Sequence, residues 1–297
     1  MIYTDHFHAI APYRAAVRAA GLTSVEAVMN YVGGSTVAWS RTTDTVYVPP
    51  AAGYVGFYLK RYRYPTWRHR LRGALRGTFF GEHRAAAEFE LLERMRALGL
   101  AAVRPIACGA RRVAHFLTAS FLITEAVPDA CNMTTFALDL ESGRRRISSR
   151  LRGAIIERLA VQVAELHRTG FSHGQIFWRN ILVRVGPHDQ PEFFFLDPRP
   201  RRGRPRILRG GQWWLHELSQ LAASALSFTT RAERMRFITT YLGARSLSPD
   251  AKQTLRAIER LAQRWQAHER QRIRMCGLFD NWRRALDVAG ESKESAA

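Results

Sequence analysis

Short runs of alternating apolar and polar residues fill the first third of the chain, and helical spacing takes over beyond it. The pattern therefore divides the sequence before any motif is considered. Residues 36–41 and 45–48 flank a Thr-Thr-Asp turn, and residues 54–60, 103–107 and 121–124 read as further strands, together a small antiparallel sheet. Ahead of them, residues 13–20 and 24–31, parted by Gly21, predict a short helical preface, while His6 and His8 alternate as in a strand or a flexible start. Residues 82–98 are written in helix formers and stop at Gly99, a suitable C-cap, which gives one helix behind the sheet. Pro128 ends the last strand and makes residues 125–128 a linker. Downstream, Leu151, Ile155, Leu159, Val163 and Leu166 step by three and four toward Gly170, the stripe of a core helix. Residues 213–228, 231–242 and 249–274 predict three more helices, the last long and basic, and only the final ten residues read as disordered. The expected architecture is α+β: a small sheet lobe over residues 1–127 and a larger helical lobe over residues 128–297.

Composition adds compartment and charge. At 297 residues, with 46% hydrophobic and 24% charged, the chain has the make-up of a soluble protein long enough for two cores. No apolar run approaches the roughly 18 residues of a transmembrane helix, and the first six residues do not resemble a signal peptide, so a cytoplasmic location is expected. Cys108, Cys131 and Cys276 are scattered, with neither a disulfide framework nor metal-ligand spacing. The ten histidines form no zinc pattern. A net charge of +20 and a pI near 11.1 point to a polyanionic partner: nucleic acid, an acidic membrane surface or an anionic glycan. Nucleic acid has only the charge in its favour and no recognised reading motif, so it is not the expected partner. Two arginine clusters carry much of the charge, one over residues 61–76 with Tyr62, Tyr64 and Trp67 interleaved, the other in the Pro-rich stretch from Asp197 to Arg209. A solvated arginine-rich surface would read the same way.

Against that bias, only three of the 45 Lys plus Arg residues are Lys, at positions 60, 252 and 293. Lys252 opens a polar helix and Lys293 lies in the tail, whereas Lys60 closes an apolar strand. A compact ammonium bridges phosphate oxygens and a carboxylate as a point charge, which the larger, rigid guanidinium fork does not. Its expected carboxylate partner is Glu88, which falls on the face of Leu91, Met95 and Leu98, where an unpaired charge would be costly. Glu90, by contrast, has a surface partner in Arg94 one turn on.

Chemistry concentrates between Phe171 and Asp197. Two strands rich in β-branched and aromatic residues, 181–185 and 192–196, are joined by turn chemistry over residues 186–191. A hairpin explains the strands but not the spacing of the polar residues around it: His173 two before Gln175, Asn180 five after, Asp197 at the hairpin's end. This is the layout of a kinase catalytic loop, in which an Asn and an Asp supply hard oxygen ligands to magnesium on nucleotide phosphates. In that layout Gln175 occupies the place of the Asp base. The Gly33-Gly34-Ser35 cluster lacks a phosphate-loop spacing, so the turn of Thr42, Thr43 and Thr45 is the expected phosphate cradle, through its backbone amides. Backbone groups of the linker residues Glu125 and Val127 are the expected adenine contacts.

With these residues placed, the chain resembles the lipopolysaccharide kinase family, which phosphorylates Kdo or heptose sugars on a protein-kinase-like fold. The resemblance runs from about Gly21 onward through Gly56–Arg63, Ala87–Gly99, Arg104–Ala107, His173-Gly followed by Asn180-Ile-Leu-Val, and Trp214–Ser224. It implies ATP and Mg2+ as cofactors, a Lys60–Glu88 ion pair, magnesium on Asn180 and Asp197, and an anionic glycolipid acceptor at the inner membrane face. The departures are Gln175 and the Asp197-Pro-Arg sequence after the hairpin. A glutamine can orient a hydroxyl but takes no proton at neutral pH. Phosphoryl transfer depends mainly on positioning and charge neutralisation, so loss of the base slows it without abolishing it. The alternative raised by Gln175 is a nucleotide-binding regulatory or scaffold protein at the membrane.

Overall fold

In the first unit, Met1–Ala97 with Val103–Pro128, six strands pair side by side. They are β1 (Tyr3–Ala9), β2 (Ser35–Trp39), β3 (Thr43–Val48), β4 (Phe57–Arg63), β5 (Pro105–Val113) and β6 (Phe116–Glu125). The sheet order is β1-β5-β6-β4-β3-β2, and every neighbouring pair is antiparallel. The structure is a computed structural model, and it describes residues 3–50, 54–73, 82–199 and 213–294.

Two features of this unit go beyond the sequence expectation. The segment of His6 and His8, read as a strand or a flexible start, is a strand: β1 lies along β5, from Tyr3 opposite Val113 to Ala9 opposite Ala107. It gives ladder partners to a long strand that would otherwise be a bare edge, and Asp5 accepts two 2.8 Å bonds from Arg111 across the pair. The second is that helices cover both faces of the sheet. α1 (Arg14–Ala19) and α2 (Val25–Asn30) place Val17, Val25 and Val28 in one buried cluster with Val46, Leu59 and Ile123 of the sheet. After α3 (Trp67–Gly73), α4 (Arg84–Ala97) buries Ala85, Glu88, Phe89, Leu92 and Met95. The buried stripe of α4 thus runs through Leu92, not Leu91, and Leu98 lies past the last helical residue and is exposed.

Alternation along β4 sorts its charges. Leu59 and Arg61 share one face, Lys60 and Tyr62 the other. Arg61 is buried, pairs with Asp44 of β3, and donates to the carbonyls of Val28, Met29 and Tyr31 at the C-terminal end of α2. It therefore stitches α2 to the sheet and is not part of a solvated cluster. Arg63 joins the same carboxylate at 2.9 Å, and Arg70 donates to the Tyr64 carbonyl. Arg76, and Arg201 to Arg209 of the second cluster, lie outside the described residues.

The second unit, Leu98–Ala102 with Asp129–Ala297, is mainly helical. Its antiparallel sheet, β7 (Cys131–Asn132), β8 (Ile181–Gly186) and β9 (Gln190–Phe195), is accompanied by α5 (Met133–Glu141), α6 (Ser149–Arg168), α7 (Trp213–Ala225), α8 (Arg231–Leu242) and α9 (Pro249–Glu294). β7 and α5 were not expected from the sequence. α5 starts where the Asn132 side chain accepts from the Thr135 amide at 2.9 Å, an N-cap. α9 continues to Glu294, through most of the stretch expected to be disordered. Among the described residues no helix is long and apolar enough to cross a membrane, and no three His, Cys, Asp or Glu gather as a metal cluster.

Candidate active site

The first unit contributes a lysine whose surroundings are built for charge. Lys60 faces Glu88 of α4 and donates to both carboxylate oxygens, at 2.9 and 3.0 Å. Tyr62, two residues on along the same face, adds a 2.9 Å bond to the second oxygen. Glu88 is thereby paired in a site where only 4% of it meets solvent. The ammonium keeps an 18% exposed side chain, enough to meet a further anion. On the linker, the Glu125 carboxylate accepts from the Tyr13 hydroxyl at 2.6 Å and pairs with Arg104 at 3.4 Å. The Glu125 amide donates to the Arg104 carbonyl and the Ala126 amide to the Gly56 carbonyl, so the next N–H along the linker is that of Val127. In the β2–β3 turn the Ser40 amide donates to the Thr43 carbonyl and the Thr43 amide to the Ser40 hydroxyl, which occupies one of the amides expected to form a phosphate cradle.

The second unit contributes the loop and the hairpin. Ile181 of β8 pairs with Phe195 of β9, and the Leu196 amide donates to the Asn180 carbonyl at 3.1 Å, so Asn180 and Asp197 leave the same end of the hairpin. Asp197 adopts φ of 56°, a left-handed conformation that Asp tolerates better than most residues. The Asn180 side-chain nitrogen donates to the Gln175 carbonyl at 2.9 Å. That commits the donor end of the amide and leaves its oxygen as the end suited to a cation. One carboxylate and one amide oxygen are a fitting protein share for Mg2+, which keeps water and phosphate oxygens for its other positions.

The loop itself hangs from α7. The amides of Gly174, Ile176 and Trp178 donate to Glu217, Gln220 and Ser224, at 2.7, 3.1 and 3.2 Å. Alternate loop residues thus meet one α7 stripe at i, i+3 and i+7. The residues of this stripe are the functional ones that the sequence reading missed; the available signal was three polar side chains at helical spacing within an otherwise apolar helix. Gly174 has φ of +78°, and a Cβ there would sit 2.7 Å from the Arg199 carbonyl, so the turn beside His173 requires glycine. His173 is fully buried against Phe195, and burial pushes its pKa down, so it is neutral and out of reach of a solvent-side hydroxyl. Gln175 is half-buried; its amide donates to His173 Nδ1 at 3.4 Å.

A family model described as the lipopolysaccharide kinase (Kdo/WaaP) family matches residues 38–241. Among curated proteins, the lipopolysaccharide core heptose(I) kinase WaaP of Pseudomonas aeruginosa is 26% identical over 159 residues, covering 53% of this chain and 59% of that protein. A 3-deoxy-D-manno-octulosonic acid kinase of Vibrio vulnificus is 31% identical over 125 residues, 39% of this chain and 49% of that protein. The chain thus spans about half the length of these curated relatives. A solved structure, WaaP in complex with acyl carrier protein, aligns with a TM-score of 0.60 at 22% identity over 87% of this chain and 98% of that one, a likeness of fold.

The Glu217 carboxylate makes the loop acid-sensitive. Burial raises its pKa, but the bonds from His167, Ser172 and Gly174 outweigh burial and hold it below the ordinary 4.5. A depressed folded pKa gives stability that is complete above the unfolded value and lost as pH falls through the folded one. Glu217→Gln should therefore be less stable than wild type at neutral pH, with the gap narrowing once pH drops below about 4.5. Urea unfolding of both proteins across that range measures it; a gap that does not change with pH would contradict the assignment.

Proposed function

The chain belongs to the lipopolysaccharide kinase (Kdo/WaaP) family, and from that premise we propose that it transfers the γ-phosphoryl group of ATP to a hydroxyl of a Kdo or heptose sugar on a glycolipid core. The Lys60–Glu88 pair carries this reading: a rare lysine on a strand donates to both oxygens of a buried carboxylate, which also accepts from Tyr62, while its side chain stays 18% exposed. In this reading Lys60 holds nucleotide phosphate oxygens while Glu88 fixes its direction. The Val127 amide and the Glu125 backbone meet the adenine edge. Asn180 and Asp197 hold Mg2+, which supplies neutralisation of phosphate charge. The bond from the γ-phosphorus to the bridging oxygen breaks, a bond to the sugar oxygen forms, ADP leaves, and the hydroxyl proton passes to water or a phosphoryl oxygen. Gln175 orients the hydroxyl through its side-chain amide. The sheet-side lobe, residues 1–127, handles the nucleotide phosphates, and residues 128–297 carry the loop and the acceptor side. With a net charge of +20, the protein works as a peripheral protein on the anionic inner face of the cytoplasmic membrane.

A second reading concerns a partner. α5 to α9 line a half-open apolar cleft of about 1040 Å³, with Phe136, Ile155, Leu221 and Phe228 among its walls and Arg231, Arg234 and Arg256 also on its lining. Its size and lining suit an acyl chain below an anionic group. The fold neighbour's partner, an acyl carrier protein, is thus a fitting candidate here as well. Acylated carrier should bind more tightly than the unacylated form, and Ala222→Phe, which intrudes on the lining, should shrink that difference. Equal binding of the two forms by wild type would remove the cleft from the reading.

ATP with Mg2+ should raise the melting temperature, since a ligand of the native state stabilises it by mass action. Lys60→Met and Asp197→Asn should each abolish the shift and leave the apo protein folded. An undiminished shift in both variants would reject the site.

Gln175→Asp should restore a proton acceptor and raise turnover on a Kdo-lipid acceptor, by up to the roughly 10²–10⁴-fold that general-base catalysis contributes. A fall in turnover instead would show that the glutamine is itself part of the working chemistry.

A further inference from the structure

α7 holds the loop by its backbone; α9 holds it by its side chains. Trp265 and Glu269 lie one turn apart on α9. Trp265 meets the Phe177 ring edge-on at 5.9 Å, and the Arg179 guanidinium lies over the same ring at 4.1 Å. The guanidinium pairs in turn with Glu269, whose side chain is 1% exposed. The other Glu269 oxygen accepts from the Ser224 hydroxyl at 2.8 Å, and Ser224 is the acceptor for the Trp178 amide. All three residues before Asn180 are therefore tied to α9, directly or through Ser224. The Asn180 amide closes the short turn on the Phe177 carbonyl at 2.8 Å, so the placement of Phe177 sets the direction in which Asn180 leaves the loop.

A buried ion pair is weak evidence for stability, since apolar replacements of similar volume are often neutral or better. Packing alone thus gives no reason for a carboxylate at position 269. We propose that Glu269 is a positioning residue for metal binding: through Arg179, Phe177 and Ser224 it fixes the turn that aims the Asn180 side-chain oxygen at Mg2+. The proposal rests on the phosphotransfer reading above. It assigns α9 a part in that reaction although none of its residues meets the nucleotide.

The test is a Mg2+ titration of ATP binding and of turnover in Glu269→Ala, Glu269→Gln and the exposed α9 control Arg264→Ser, with amide hydrogen exchange over residues 177–180 in the apo proteins. Residues that orient a ligand from behind typically change metal affinity by about 10–100-fold. Glu269→Ala should raise the Mg2+ midpoint by about that factor, leave KM for the acceptor unchanged, and speed exchange at Asn180. Glu269→Gln keeps an acceptor for Ser224 and should fall between Ala and wild type, while Arg264→Ser should match wild type. Should Glu269→Ala fail to fold, Trp265→Ala, at a partly exposed position, should give the same shift in smaller measure. A folded Glu269→Ala protein with a wild-type Mg2+ midpoint would overturn this inference alone. A wild type whose nucleotide binding ignores Mg2+ would overturn the phosphotransfer reading and this inference with it.

Discussion

Backbone amides that enter a packed interior must find acceptors, and the stretch from Ser172 to Asn180 does so with no sheet and only one short 3-10 turn, at Trp178–Asn180. Its amides cannot be left bare, because an unpaired buried donor costs about 1–3 kcal/mol. Glu217, Gln220 and Ser224 remove that cost at three alternate residues, and the stripe that does so dictates the rest of the second unit. α7 must carry polar residues on a buried face, and Glu217 must then find further partners of its own, Ser172 and His167, the latter resting on Tyr241. Ser224 needs Glu269, which needs Arg179. The loop is thus held by a polar network in which each member satisfies the next, the arrangement under which a buried network gives rigidity and not a penalty.

Charge in the first unit follows the same logic at smaller scale. In a chain so rich in arginine, Asp44 is saturated by Arg61 and Arg63, and Arg61 spends the rest of its fork on carbonyls at the end of α2. Five donors in a rigid plane suit that role, since the site needs many bonds and no movement. Lys60 does the opposite. Its partner Glu88, itself held by Tyr62, comes from α4, and the partly exposed side chain carries a compact cation. The two residues are neighbours in sequence and point to opposite faces of one sheet; the period of two along β4 separates structural from chemical cation.

That period was legible in the sequence, and so were Lys60, Glu88 and the Asn180 to Asp197 hairpin, because each depends on local spacing. The two-lobe, α+β class was legible for the same reason. What escaped was set by distant contacts. β1 pairs with the edge of β5, a contact that the alternation of His6 and His8 left undecided between a strand and a flexible start. Arg61 reads as one of a basic run until Asp44 and the end of α2 arrive beside it. The α4 stripe was misread by one position, from Leu92 to Leu91, since neighbouring apolar residues leave the phase of a helix open until its packing partner is known. The polar stripe of α7 was visible as residues but not as acceptors, because its donors lie over 40 positions away.

The geometry around Gln175 separates what its backbone does from what its side chain does. The backbone amide meets His173 Nδ1 and the carbonyl receives Asn180, so the position holds the loop whatever side chain it carries. Exchange of Asp for Gln therefore leaves the scaffold intact and changes the chemistry alone. Two nearby groups are poor substitutes for the missing base. His173 is sealed in the interior and kept neutral by burial, and Asp197, once bound to a cation, is a weak proton acceptor. A transfer through a loose transition state asks little of a base before the bond to ADP has largely broken. In the proposed transfer the demand then falls on orientation, which an amide at position 175 can meet.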